Sequence, residues 1–443
     1  MSSSNAAANG ATPSSTLSIT TAWERPFVDA SGGEAILLVR IAAATSDSPA
    51  GASRRAPVDV AFVLDRSGSM AGEKLDLVKE AVDVAVAHLS DEDRAALVIY
   101  DDSVNVLQGL TSATARAKTT LRLALHGVDP GGSTNLSDGW LTGCQELSRD
   151  LPAPGASPAN QPVRLRRSLL LTDGLANVGI TNPAALAHHA RELRQRGIAT
   201  TTLGVGLDFD EDLLASMAEA GGGNFQFIEQ PSQLRAFFAR ELGELLTVVA
   251  ADLNLSLTLP HGLRARLLNL FPVNREGNRL DIAIGDLPAS DEIHLIFAVT
   301  ARAGVTGASH LVQLDATWAD PTADRRQSVS QILPPLVLAD RATVEATPGD
   351  QIVAEQAGLQ RAAAAQREAM RLDRAGRFAE SRAHMRAAAQ SLAMAPPTTM
   401  VAERLAMAQQ YADYDPTVAY DESTRKRGAY DAHRHSRGKR DEQ

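Results

Sequence analysis

From Val58 to about Leu246, short apolar runs alternate with amphipathic stretches, and no other feature of the 443 residues narrows the fold as far. The series reads VDVAFVLD, KLDLVKEAVDVAVAHL, RAALVIYDD, TTLRLALHGV, LSDGWLTGCQEL, RSLLLTDG, PAALAHHARELRQRG, ATTTLGVG, FDEDLLASMAEAGGG, NFQFIEQ and SQLRAFFARELGELL. Strands that are apolar throughout, separated by helices, give a doubly wound, Rossmann-like α/β fold with a mostly parallel sheet. Leu75, Val78, Val82, Val86 and Leu89 recur at three and four residues, so one face of the first helix packs on that sheet. Asp208 followed three residues later by Glu211 reads as a capping box.

On either side the period changes to two. TLSITTAW and GEAILLVRIAAA precede the α/β region, and LNLSLTL, RLDIAIGDL, EIHLIFAVTA and HLVQLDATW follow it. Leu253, Leu255, Leu257 and Leu259 alternate with polar residues, as in an antiparallel strand with one face inward. The economical arrangement is a β-sandwich built from residues 16–45 and 250–345, with the α/β domain, 56–246, inserted after the linker SDSPAGASRRAP. Residues 1–15 read as a disordered lead-in and 347–413 as a helical region. That region opens with a hairpin broken at RAGRF, whose spacing resembles one tetratricopeptide unit; a hairpin packed on the sandwich is the better reading, because one such unit cannot bury its own face. Residues 414–443 are basic and lack apolar periodicity, which predicts a disordered tail.

The net charge of -10 disfavours nucleic acid and anionic membrane as partners of the body of the protein, leaving only the basic tail for such contacts. A single cysteine, Cys144, cannot form an internal disulfide. The start carries no basic-then-apolar signal, and no apolar run reaches the roughly 20 residues of a membrane span. The expectation is a cytoplasmic protein; abundant alanine and only five lysines against many arginines suggest a GC-rich bacterial genome.

In a doubly wound sheet, ligands bind beyond the carboxyl ends of the strands. Three polar clusters fall there. Asp65, Ser67 and Ser69 follow VAFVL, Thr134 sits in the Gly-rich PGGSTNLSDG, and Asp173 ends LLLTDG. Two carboxylates and three hydroxyls, without His or thiolate, suit a hard divalent cation: Mg²⁺, with Mn²⁺ and Ca²⁺ as alternatives. Arg66 reads as a surface charge, Asp101 and Asp102 as turn formers in preference to either one touching the site's surroundings, Cys144 as a small buried hydrophobe, and His188 and His189 as solvent-facing.

D-x-S-x-S after the first strand, a Thr in GGSTN and TDG after a later strand together resemble the metal-ion-dependent adhesion site of the von Willebrand factor type A family. The resemblance covers roughly 56–246 and extends to GVGLDFDEDLLASMAEAGGGNFQFI. It implies that Ser67, Ser69 and Thr134 hold the ion through hydroxyls, while Asp65 and Asp173 act largely through bound water. It also implies an open position for a partner's Asp or Glu, so a protein-interaction module and not an enzyme. The wider plan resembles inter-alpha-trypsin inhibitor heavy chains and calcium-activated chloride channel homologues, although the channel function does not carry over. Some bacterial members serve as accessory subunits of AAA-type ATPases, which supplies a second reading. A Mg²⁺-dependent phosphoryl-transfer enzyme is the alternative of another class; GGSTNL is not a nucleotide-binding G-x-x-x-x-G-K-[ST] loop, and the three clusters aim no evident cation at a phosphate.

Residues 250–345 produced alone should be poorly soluble, since the strands of 16–45 would be missing. A stable, soluble monomer of that fragment would overturn the shared-sandwich reading.

Overall fold

The computed structural model describes residues 16–43, 55–151, 164–289, 291–321 and 325–438. The expected lead-in 1–15 and most of the linker lie outside these residues.

The apolar runs form one six-stranded sheet. Its order is Val104–Ser112, Arg94–Tyr100, Val58–Asp65, Leu165–Thr172, Ile198–Val205 and Gly222–Ile228. All neighbours are parallel except the edge strand Val104–Ser112. That strand is absent from the sequence reading, because its residues are half-exposed and its register is interrupted, so it shows no continuous apolar run. Val58–Asp65 is buried along its whole length. Val60, Phe62 and Leu64 pack against the helices Glu73–His88 and Leu234–Leu246. Ala61 and Val63 pack on the other face, with the helices Leu136–Ser148 and Glu211–Gly221. The chain leaves this strand to one side for Arg94–Tyr100 and later returns on the other for Leu165–Thr172. Its carboxyl end is therefore the switch point in strand order, where a doubly wound sheet opens a crevice.

Two antiparallel sheets share a second core. One has the order Leu17–Trp23, Gly33–Ala43, Glu292–Ala301, Leu263–Leu267; the other runs Val273–Glu276, Arg279–Pro288, Val248–Thr258, Gln313–Asp320, Arg325–Ile332. Val39, Ile41, Leu295 and Phe297 of the first meet Leu253, Leu255, Leu257, Ile282 and Trp318 of the second in one apolar cluster. The outer face of the four-stranded sheet is also apolar at Ile36, Leu38 and Ile296. Val353 and Ala357 of the helix Gln351–Arg374 cover it. Arg167 ties the parallel sheet to these layers, donating to Glu241 at 2.8 Å and pairing with Asp286 at 3.2 Å. No helix among the described residues is long and apolar enough to cross a membrane.

Two expectations need correction. The capping box at Asp208 does not form: the helix starts at Glu211 and Asp210 caps it, accepting from the N–H groups of Asp212 and Leu213. Glu211 instead turns inward, 3% exposed. What it meets there is the second correction. The tail expected to be disordered contains a helix, Glu422–Ser436, capped by Asp421. Its buried positions are Lys426, Gly428, Ala432, His433 and Ser436, small or polar residues that leave no apolar period in the sequence. Lys426 Nζ reaches Glu211 at 3.1 Å, donates to the Phe209 carbonyl and lies 4.1 Å from the Phe209 ring centroid. Arg427 pairs with Glu229 at 2.7 Å, and His433 packs edge-on against Phe225. Gln366 donates to Gly428 O, while Leu270 N donates to Ser436 O. The helix thus touches the parallel sheet, the helical region and the four-stranded sheet's surroundings together, and its basic charge is neutralised within the molecule.

Burial pushes the Glu211 carboxyl up, but Lys426, a backbone N–H at the helix start, Arg425 and Arg374 together outweigh it and hold it below the usual carboxylate range. A depressed carboxyl contributes stability that is present above its unfolded value and lost as pH falls through the folded one. Lys426→Met strands a buried carboxylate with weaker partners, so the unfolding free energy should drop by about 3 kcal/mol in chemical denaturation at pH 7. The deficit should shrink below the ordinary carboxyl pKa; a variant as stable as the parent at neutral pH contradicts this role.

Candidate functional site

Asp65 ends its strand with no solvent exposure. One carboxylate oxygen accepts from the backbone N–H of Ser67 at 2.8 Å, and the other accepts from the Thr172 hydroxyl at 2.7 Å. The turn that follows carries Ser67, almost buried, and Ser69, exposed. Their hydroxyls lie 3.2 Å apart, and Ser69 Oγ donates to Asp173 Oδ1 at 2.7 Å. Thr134 is 4% exposed. A Cβ added at Gly174 would stand 3.3 Å from Thr134 Oγ1 and 3.7 Å from Ser69 Oγ, so both hydroxyls border Gly174. All five residues singled out in the sequence, Asp65, Ser67, Ser69, Thr134 and Asp173, come to the carboxyl end of the central strands.

Backbone bonds fix the loops that bring them there. Gly131 N donates to Arg66 O at 2.6 Å, Gly68 N to Gly132 O at 3.0 Å, and Asn177 N to Thr134 O at 3.2 Å. Asp101 adds a side-chain clasp, accepting from Ser103 N and Oγ at 2.8 Å and from Gly132 N at 3.3 Å. It packs so closely that a Cβ at Gly131 would fall 1.9 Å from its Oδ2, which explains why a glycine stands there. Arg66 is no free surface charge: its guanidinium pairs with Asp101 at 2.7 Å. Asp101 is therefore the turn former expected and also the link between the first and second loops.

Two participants escape the sequence reading. Thr172, one residue before Asp173, fixes the Asp65 carboxylate. Lys74 Nζ pairs with Asp173 Oδ2 at 2.5 Å and reaches Ser69 O at 3.4 Å. It stands in the first turn of the helix Glu73–His88, where a cation opposes the helix dipole, so its pairing with Asp173 offsets an unfavourable placement. The available signal was lysine's rarity in this chain. His188 and His189 are 63% and 38% exposed on their helix, each beside Glu192. Cys144 is buried, and its thiol is pushed up to about 12, opposite to an activated nucleophile.

Burial raises the Asp65 carboxyl above its ordinary range, and the nearby Asp173 charge adds to the effect. The Tyr100 hydroxyl, buried beside both acids and donating to Leu171 O at 3.1 Å, is raised as well. Two buried carboxylates against one lysine leave negative charge that a divalent cation would balance. Among the described residues, no group of three or more His, Cys, Asp or Glu side chains is placed to hold an ion. A cation here would be held by hydroxyls together with one or two acids and water, a donor set that suits a hard ion better than a soft one.

Residues 59–240 match the family model of the von Willebrand factor type A domain. Over 253 residues the chain is 26% identical to the uncharacterized protein YfbK of Escherichia coli K12, covering 55% of this chain and 41% of that one. Over 206 residues it is 30% identical to human inter-alpha-trypsin inhibitor heavy chain H4, covering 44% of this chain and 21% of that one. The chain thus spans less than half the length of either relative. Among solved structures, a von Willebrand factor type A protein from Catenulispora acidiphila aligns with a TM-score of 0.75 over 94% of this chain and 96% of that one, at 19% identity, a likeness of fold. With the sheet order, the switch-point crevice and the family match in agreement, residues 59–240 form a von Willebrand factor type A domain.

Proposed function

We propose that the chain is a Mg²⁺-dependent protein-interaction module whose metal site captures an Asp or Glu of a partner protein. The observation that carries this reading is the hydrogen-bonded set Asp65, Ser67, Ser69 and Asp173, with the hydroxyls of Thr134 and Ser69 both bordering Gly174, at the open end of the sheet. Ser67, Ser69 and Thr134 would hold the ion through hydroxyls; Asp65 and Asp173 would balance its charge and orient its waters. The ion would supply a positive centre for a carboxylate. Asp101, Arg66 and Thr172 keep the loops in register for it. Mn²⁺ and Ca²⁺ fit the same oxygens. We read the two antiparallel sheets as a sandwich that carries this domain, a helical region beginning with a hairpin as its neighbour, and the protein as cytoplasmic, since its one cysteine stays buried and unpaired.

Binding accounts for these residues better than turnover does. Asp65 is locked by two hydrogen bonds and withdrawn from solvent, a poor position for a nucleophile, and Lys74 at the site pairs with an acid. An AAA-type ATPase is one partner that this reading accommodates; copurification from a native lysate tests it.

Isothermal titration with MgCl₂ checks the metal. Asp65→Ala should abolish measurable binding while circular dichroism stays that of the parent, and partner capture should vanish equally with that substitution and with EDTA. Capture indifferent to both would falsify metal-mediated docking. Lys74 gives a second check. Its ammonium competes with an ion for Asp173, so Lys74→Met should tighten Mg²⁺ binding by roughly tenfold, the scale of one charge at about 4 Å between water and protein surface. Weaker binding in that variant would show that Lys74 supports the site instead of competing for it.

A further inference from the structure

Leu263–Leu267 is the last strand of the four-stranded sheet, paired only with Glu292–Ala301. Val273–Glu276 is the last strand of the five-stranded sheet and is exposed at all four positions. Around these two strand ends of the layers opens a cleft of about 680 Å³, lined by Arg264, Arg266, Arg275, Arg302, His261 and Glu34 among others. All four arginines are exposed, and none forms an ion pair among the described residues. Arg275 donates to the Ala265 carbonyl. The carboxylate in the cleft, Glu34, is already paired with Arg361 at 2.9 Å.

Elsewhere this chain gives exposed arginines acidic neighbours: Arg341 has Glu345, Arg371 has Glu368 and Arg377 has Glu380. A protein of net charge -10 has no shortage of acids to place beside the cleft. Four uncompensated guanidinium groups in one concave site mean mutual repulsion that an anionic occupant relieves.

We propose that this cleft docks an acidic segment of a partner protein in extended conformation. Arg264 and Arg266 alternate with the buried Ala265 along the strand, so their side chains leave one face about two residues apart, roughly 7 Å. Carboxylates at alternate positions of an extended peptide repeat at the same interval. Guanidinium groups bind carboxylates in planar, two-bonded pairs. A long nucleic acid is the poorer occupant, because the whole molecule repels it beyond the few arginines of the cleft. The cleft lies outside residues 59–240 and uses no metal ligand, so it stands apart from the adhesion-type site.

Fluorescence anisotropy with a fluorescein-labelled decaglutamate peptide tests this on the full chain, in EDTA so that no metal site contributes. The wild type and Asp65→Ala should bind alike, with affinity falling as NaCl rises. R264A/R266A should lose at least tenfold, and Arg116→Ala, a change at an exposed arginine elsewhere, should lose nothing. Circular dichroism and thermal melting confirm that each variant is folded. Absent binding by the wild type, equal binding by R264A/R266A, or tighter binding of a ten-nucleotide single-stranded DNA than of the peptide overturns the proposal.

Discussion

Asp65 closes the central strand with a carboxylate that has no exposed surface in the folded chain, and the arrangement around it depends on how that charge is held. Thr172 of the neighbouring strand bonds one oxygen, and the backbone of the following turn bonds the other. The first bond ties two strands at their carboxyl ends. The second bends the chain so that Ser67 and Ser69 present their hydroxyls on the side where Asp173 and Thr134 arrive. A buried carboxylate with fewer partners would be costly, so the same bonds that satisfy Asp65 also fix the direction of the turn. Site geometry and strand pairing are one feature here.

A second set of buried charges acts at a larger scale. Arg167, on the strand that Asp173 follows, joins the helix residue Glu241 to Asp286 of the antiparallel layers. Glu211 and Lys426 join the parallel sheet's flank to the C-terminal helix. Such pairs are modest sources of stability compared with apolar contact, but losing one partner is costly, which makes them selective for one relative placement of the parts. The crevice at the switch point of the parallel sheet is thereby presented on a body whose layers are pinned by charge as well as by packing.

The strand and helix alternation of Val58 to Leu246, and the side on which Asp65, Ser67, Ser69, Thr134 and Asp173 meet, could be read from the sequence because each follows a local rule: continuous apolar runs make buried strands, and polar turns follow them. What could not be read depends on distant partners. Lys426 looks like a tail charge until Glu211 and Phe209 face it, and Glu211 looks like a capping residue until Lys426 does. Lys74 stands 99 residues from the acid it pairs with. The edge strand Val104–Ser112 was hidden for a different reason: it is half-exposed, so burial imposes no apolar run on it.

Arg40 of the second long strand pairs in register with His294, and Leu37 with Phe297. These partners are separated by the entire von Willebrand factor type A domain. At ribosomal rates of about 5–20 residues per second, the strands near the amino terminus must wait on the order of ten to fifty seconds for the strand that covers them. During that interval Leu37, Val39 and Ile41 have no inner partner. An α/β domain that folds within the pause brings its two ends near one another and shortens the search for closure. The delay before that long strand is covered is thus set by the length of chain placed between it and its partner.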